Sequence, residues 1–281
     1  MYAAREHKMR KTFHDKIVVI AGGASGMGEQ VALQLYKNAQ KVIILDRNKE
    51  AGERTKAESA GVIQFEYIEM THAGEVLHTL RQINKEYGSI DYFFNFAGSF
   101  LGGEIRDTPI EHWHKIMETN LQPIINGTVA AYELMRKNGH GHIINVASAA
   151  GLFPVPAMGI YGGSKHAVVG LTAGLRLEAK SLNIDVSLIC PTIVETPLYD
   201  TALYDGLDKP KALELLKHQI KVQQPDMAAK RIITGVRKNK FIIHTSFSTR
   251  IAWLLYRISP SLYIWSSRRF LRVYRNTLRL K

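Results

Sequence analysis

Six residues, Lys16-Ile17-Val18-Val19-Ile20-Ala21, running straight into Gly22-Gly23-Ala24-Ser25-Gly26-Met27-Gly28, constrain this chain more than any other stretch of it. A short, almost wholly apolar and β-branched run has to be covered on both faces, which is the situation of a strand inside a parallel sheet. The glycines end it, and a helical pattern with Val31, Ala32, Leu35 and Tyr36 on one side follows. Strand, glycine loop and helix in that order let backbone approach a pyrophosphate closely, while the amides of the first helical turn face the anion. The spacing Gly-x-x-x-Gly-x-Gly differs from the commoner Gly-x-Gly-x-x-Gly.

The alternation repeats. Residues 41–46, 62–69, 91–94, 141–147, 184–190 and 240–244 read as further strands, with helical patterns between them, which predicts an α/β fold with a doubly wound parallel sheet. Thr108-Pro109-Ile110-Glu111 has the composition of a helix start, with Thr as N-cap and Glu three residues on. The second strand ends on Asp46, eighteen residues past Gly28, where a dinucleotide fold puts the carboxylate that accepts from a ribose 2′-hydroxyl. That carboxylate repels a 2′-phosphate, so NAD is favoured over NADP. The adjacent Arg47 is the one feature pointing the other way.

Ser148 follows a buried strand at its carboxyl end, and Tyr161-Gly162-Gly163-Ser164-Lys165 follows it after twelve intervening residues. On a helix, Tyr161 and Lys165 stand four apart on one face and reach the same small volume. An ammonium beside a phenol favours the phenolate and brings a tyrosine toward proton transfer at neutral pH. Ser148 can hold a substrate oxygen by a hydrogen bond.

The single cysteine, Cys190, lies in an apolar run and reads as a buried thiol in a reducing compartment. No His/Cys/Asp/Glu spacing calls for a metal. The net charge of +12 is uneven: residues 227–281 hold 13 Lys and Arg and no Asp or Glu, against 24 basic and 25 acidic residues before them. A neutral body with a basic end argues against a nucleic-acid surface over the fold. Three parts are expected: an N-terminal arm over 1–15, a catalytic domain over 16–244 with a mobile lid at 197–224 carrying Leu213, Leu215, Leu216 and Ile220, and a basic amphipathic extension over 245–281. In that extension, Trp, Tyr and Leu blocks too short to span a bilayer alternate with arginines. Two uses stay open for it: peripheral attachment to an anionic membrane or lipid droplet, or packing across a partner subunit.

Taken together, Gly22-x-x-x-Gly26-x-Gly28, Asn95-x-Ala97-Gly98, Asn120, Ser148 and Tyr161-x-x-x-Lys165 resemble the short-chain dehydrogenase/reductase family over about the first 200 residues. The resemblance implies a Rossmann-type single domain with Tyr161 as general acid/base, Ser148 orienting the substrate, Lys165 on the nicotinamide ribose, and Asn120 supporting a proton-relay water. It implies a cofactor set of Gly22, Ser25, Gly26, Met27, Gly28, Asp46, Arg47, Glu69, Met70, Asn95, Ala97, Gly98, Tyr161, Lys165, Pro191, Ile193 and Thr196. It also suggests a homodimer or homotetramer; the lone cysteine and the basic, polar start fit a cytoplasmic location. Ala21, Phe96, Glu69 and Thr192 depart from the family's pattern.

Phe100, Leu101, Phe153, Pro154, Met158, Leu198 and Tyr199 fall on the loops around the expected reaction centre. Their apolar character predicts a hydrophobic secondary alcohol or ketone of steroid, retinoid or lipid type, with Ser148, Phe100, Phe153, Met158 and Leu198 touching it. The competing functions are an NADPH-dependent carbonyl or 3-oxoacyl reductase on the same fold, and a non-catalytic cofactor sensor or membrane scaffold.

Overall fold

The computed structural model describes residues 12–219 and 222–278. Most of the expected arm and Ile220 therefore lie outside the described residues, as do the side chains of Leu215 and Leu216. Strands β1 (Ile17–Ala21), β2 (Lys41–Asp46), β3 (Ile63–Tyr67) and β4 (Tyr92–Asn95) alternate with helices α1 (Gly26–Leu35), α2 (Lys49–Glu58) and α3 (Ala73–Tyr87). A short strand β5 (Leu101–Gly103) precedes helix α4 (Ile110–Asn138), strand β6 (Gly141–Val146), helix α5 (Gly159–Ala179) and strand β7 (Ile184–Cys190). The chain then forms β8 (Leu203–Asp205), α6 (Lys209–Gln219), α7 (Pro225–Arg237), β9 (Ile242–His244), α8 (Phe247–Ile258) and α9 (Pro260–Thr277).

Seven strands make one parallel sheet in the order β3-β2-β1-β4-β6-β7-β9. The order reverses beside β1, so the carboxyl ends of β1 and β4 open a crevice at the switch point, the usual ligand position in such sheets. Period-two alternation divides the core. Ile17, Val19 and Ala21 face one layer with Val76, Leu80, Ala131 and Leu134, whereas Val18 and Ile20 face the other with Val31, Leu35, Ile232 and Val236. Phe13, at the end of the arm, is buried against Tyr92, ring centroids 4.5 Å apart.

Strand three is shorter than expected, and the α4 start differs. Pro109 is the N-cap, because the Thr108 hydroxyl donates to the Glu104 carbonyl at 2.9 Å and closes the preceding turn instead. A second, two-stranded parallel sheet pairs β5 with β8, registering Leu101 with Leu203 and Gly103 with Asp205. Leu101 thereby becomes a core residue against Ile116 and Ile160.

The basic extension folds into the α8–α9 hairpin and lies on its own chain. Ser259 turns it, its hydroxyl accepting from the Leu262 amide at 3.4 Å, and Pro260 opens α9. At the far end Tyr274 and Leu278 are buried with Ala157, Leu207 and Ala212. The Asp208 amide donates to the Leu278 carbonyl at 2.9 Å, and Arg275 makes a two-pronged pair with Glu104 at 2.9 and 2.7 Å. That pair holds the Glu104 carboxyl below its ordinary range.

Candidate active site

Two adjoining cavities follow the carboxyl ends of the strands. The first, about 370 Å³, is lined by Gly22, Ser25, Gly26, Met27, Gly28, Asp46, Arg47, Glu69, Met70, Ala97, Gly98 and Thr196. The second, about 360 Å³, is lined by Ser148, Tyr161 and Lys165 among mostly apolar neighbours, including Phe100, Phe153, Met158, Leu198 and Tyr199. Met27, Phe96, Gly98, Ser99, Thr196 and Leu198 line both, so the two are one continuous cleft.

In the first cavity the glycine loop is tight. Gly22 has φ +71°, and a Cβ on Gly28 would sit 2.1 Å from the Gly22 carbonyl oxygen. Ser25 caps α1 without a side-chain hydrogen bond to the helix, which leaves the first amides of α1 for an anion. Asp46 is already engaged: Oδ2 accepts from the Ala24 amide at 3.1 Å and Oδ1 from the Asn48 amide at 3.0 Å. Each carboxylate oxygen retains a further lone pair for a ribose hydroxyl. Arg47 is turned to Glu69 at 3.2 Å. Burial raises the Glu69 carboxyl, but the Thr71 amide and the Arg47 guanidinium outweigh it and the net direction is downward. Arg54, which sequence reasoning missed, also borders this cavity and pairs with Glu29 at 2.9 Å. Both guanidinia pair with carboxylates at the surface, and the Asp46 carboxylate, an acceptor at the end of β2, fits a dinucleotide with a free 2′-hydroxyl.

Ser148 stands just beyond β6, and its hydroxyl accepts from the Ala150 amide at 3.2 Å. Tyr161 and Lys165, both buried, come from the first turns of α5. Burial pushes the Tyr161 phenol up to about 12, against a hydrogen bond with Ser148 that lowers it. Lys165 Nζ is 5.9 Å from the Tyr161 ring centroid and makes a long hydrogen bond, 3.4 Å, to the Val146 carbonyl. Burial brings the ammonium down to about 8. The expected lowering of Tyr161 by Lys165 is thus not what governs the phenol here; desolvation is.

Asn120 is fully buried, its amide donating to Ser164 Oγ at 3.0 Å and its carbonyl accepting from the Ser99 amide at 2.6 Å. A Cβ on Gly98 would lie 3.0 Å from Asn120 Oδ1 and 3.2 Å from Lys165 Nζ, which is why a residue without a side chain stands there. Asn95 is not brought to the cleft. Its side chain points into the core and donates to the Pro123 carbonyl at 2.9 Å, tying β4 to α4. Pro191 and Ile193 line the apolar cavity rather than the glycine-loop end. Phe96 stacks on Phe94, ring centroids 6.2 Å apart, and so belongs to both the core and the cleft.

The roof of the apolar cavity departs furthest from expectation. No described side chain of α6 lines it; Leu213 borders a neighbouring pocket with Val194 and Tyr199. Ser248, Thr249 and Ala252 of α8, with Tyr263, Ser267 and Phe270 of α9, form the roof instead. Tyr263 meets Phe153 and Tyr256 at centroid distances of 5.5 and 5.4 Å. The periodicity of the extension gave a signal for these inward positions, but nothing in it named their partner.

A family model described as short chain dehydrogenase matches residues 16–205. A Drosophila melanogaster protein named dehydrogenase/reductase SDR family protein 7-like is 28% identical over 272 residues, 92% of this chain and 81% of that one. An uncharacterized oxidoreductase of Staphylococcus saprophyticus is 31% identical over 244 residues, 83% of this chain and 96% of that one. Among solved structures, a Burkholderia phymatum short chain dehydrogenase/reductase in complex with NAD superposes with a TM-score of 0.81 at 25% identity, covering 90% of this chain and 96% of that one. A Streptomyces avermitilis short-chain dehydrogenase shares the fold with a TM-score of 0.78 at 20% identity, over 93% and 96%. With the match running from β1 through β8 and taking in Ser148, Tyr161 and Lys165, the chain belongs to the short chain dehydrogenase family of oxidoreductases.

Proposed function

We propose that this chain interconverts a hydrophobic secondary alcohol and its ketone with NAD(H), with Tyr161 as the proton-exchanging group. The observation that carries the reading is the continuity of the cleft. Ser148, Tyr161 and Lys165 stand where a glycine-lined groove holding Asp46 meets a cavity with an apolar wall. The Burkholderia neighbour, solved with NAD, supports the choice of cofactor, as do Asp46 and the two paired arginines.

A nicotinamide dinucleotide bound in the groove would supply hydride exchange at the carbinol carbon. Ser148 Oγ holds the substrate oxygen by a hydrogen bond. Tyr161 gives its phenolic proton to a ketone oxygen or, in the reverse direction, takes the proton of an alcohol. With the phenol at about 12 and Lys165 at about 8, Tyr161 rests protonated at neutral pH, with an ammonium close by. That resting state suits protonation of a ketone oxygen, and alcohol oxidation gains as pH rises. Steroid, retinoid and lipid-derived alcohols match the cavity's apolar lining. An oligomer of this chain is part of the same proposal.

The test is turnover of a panel of hydrophobic secondary alcohols and ketones with NAD(H) and NADP(H), beside Tyr161→Phe. NAD-dependent turnover is expected, falling at least about a hundredfold in Tyr161→Phe with NADH affinity retained. Full activity in that variant refutes the mechanism. A preference for NADPH would favour the carbonyl-reductase reading.

A further inference from the structure

The helices that roof the apolar cavity carry a second apolar face on their other side. Along α8, Thr249, Ala252, Trp253 and Tyr256 turn inward, whereas Phe247, Ile251, Leu254, Leu255 and Ile258 recur at helical spacing and are exposed. Across the Ser259 turn the row continues in Leu262 and Trp265. Phe247, Ile258 and Trp265 are 70%, 80% and 69% exposed, values that single surface hydrophobics reach but seven neighbours on one hairpin do not without a use.

Charge decides what covers this face. Arg250 and Arg257 flank the apolar row on α8, and Arg268, Arg269 and Arg272 follow it on α9, all exposed. No carboxylate occurs between residues 227 and 281. Two copies meeting here would set these arginines against one another with no acid from either hairpin to separate them. An anionic lipid surface answers both features: the apolar row enters the boundary between headgroups and acyl chains, and the guanidinia meet phosphates. No described helix is long and apolar enough to cross a membrane, so the contact is interfacial.

We infer that the outer face of α8–α9 docks on an anionic lipid surface and so presents the mouth of the apolar cavity to the bilayer. Ser248 marks that mouth, being exposed, a lining residue of the cavity, and next in the chain to Phe247. The hairpin is one body with two working faces, one over the reaction centre and one toward the lipid. The nature of what enters the cavity rests on the function proposed above; the docking does not.

The experiment is flotation of the full chain with phosphatidylcholine vesicles, with and without phosphatidylglycerol, at low and high salt and without substrate. Wild type is compared with Ile258→Glu/Trp265→Glu and Arg268→Ser/Arg269→Ser, and NADH binding is measured on each protein. Wild type should float with the phosphatidylglycerol vesicles. Its partitioning should fall about 100-fold in the glutamate variant, and fall with salt and in the serine variant, with NADH affinity unchanged. Absence of flotation, or equal flotation of wild type and the glutamate variant, overturns the inference. A wild-type dimer that the glutamates dissociate, with no vesicle binding, assigns the face to a second copy and overturns it as well. Flotation as expected by a chain that binds no NADH upholds the docking and sinks the cofactor reading instead.

Discussion

Lys165 is a cation that the fold buries at a cost, and that cost can be read against pH. The residue is 5% exposed, and the one hydrogen bond of its side chain among the described residues is the long contact with the Val146 carbonyl. Burial takes it from 10.5 to about 8. Below pH 8 both folded and unfolded chains carry the proton, and the native state bears the whole penalty. Between about 8 and 10.5 the native state releases the proton while the unfolded chain keeps it, so this group's contribution to stability rises with pH across that window. At about 1.4 kcal/mol per pH unit, the gap amounts to about 3 kcal/mol. Lys165→Met keeps most of the apolar stem and removes the charge. Urea unfolding of both proteins at pH 7 and pH 10.5 should therefore find the variant more stable at pH 7, with that advantage shrinking by about 3 kcal/mol at the higher pH. Turnover should be lost throughout. A stability difference that does not change with pH refutes the reasoning, because it would mean that the ammonium is solvated or matched in the native state.

Asp46→Asn should lower the preference for NAD over NADP by about tenfold or more, since it removes the negative charge from a groove that Arg47 and Arg54 also line; unchanged discrimination in paired titrations would move the selecting group elsewhere. Tyr274 is buried with Ala157, Leu207, Ala212 and Leu278, and its hydroxyl has no hydrogen-bond partner among the described residues. Tyr274→Phe should accordingly stabilise the chain by about 1–2 kcal/mol, a rise of about 2–6 °C in Tm, and an unchanged or lower Tm would show that the hydroxyl is satisfied.

Much of the sheet, and the grouping of residues in the candidate site, was legible because both are written locally. Runs such as Val18–Val19–Ile20, short, β-branched and ended by glycines, read as buried strand, and Tyr161 with Lys165 share a helical face by arithmetic alone. What failed to show was every contact between distant segments. Thr108 reads as a cap until Glu104 offers it a carbonyl; Leu101 reads as a pocket residue until Leu203 pairs beside it. Asn95 belongs to a motif, yet its amide turns inward and donates to the Pro123 carbonyl of α4. The roof is the clearest instance. An amphipathic period reveals that Thr249, Ala252 and Tyr256 want cover, and it says nothing of whether a membrane, a partner or the chain's own Phe153 supplies it. Glu104 and Arg275 meet across 171 residues of sequence, a distance over which no local pattern operates.

The hairpin roof also sets an order of events in synthesis. The glycine loop, Asp46 and the strands around them leave the ribosome early and can close on one another while later residues are still being added. Tyr263, Ser267 and Phe270 follow every strand of the sheet, so the apolar chamber stays uncovered until almost the last described residues are free. A nascent chain can thus assemble its nucleotide groove well before it can enclose anything greasy. The exposed chamber of the unfinished chain is then the surface that a chaperone would meet.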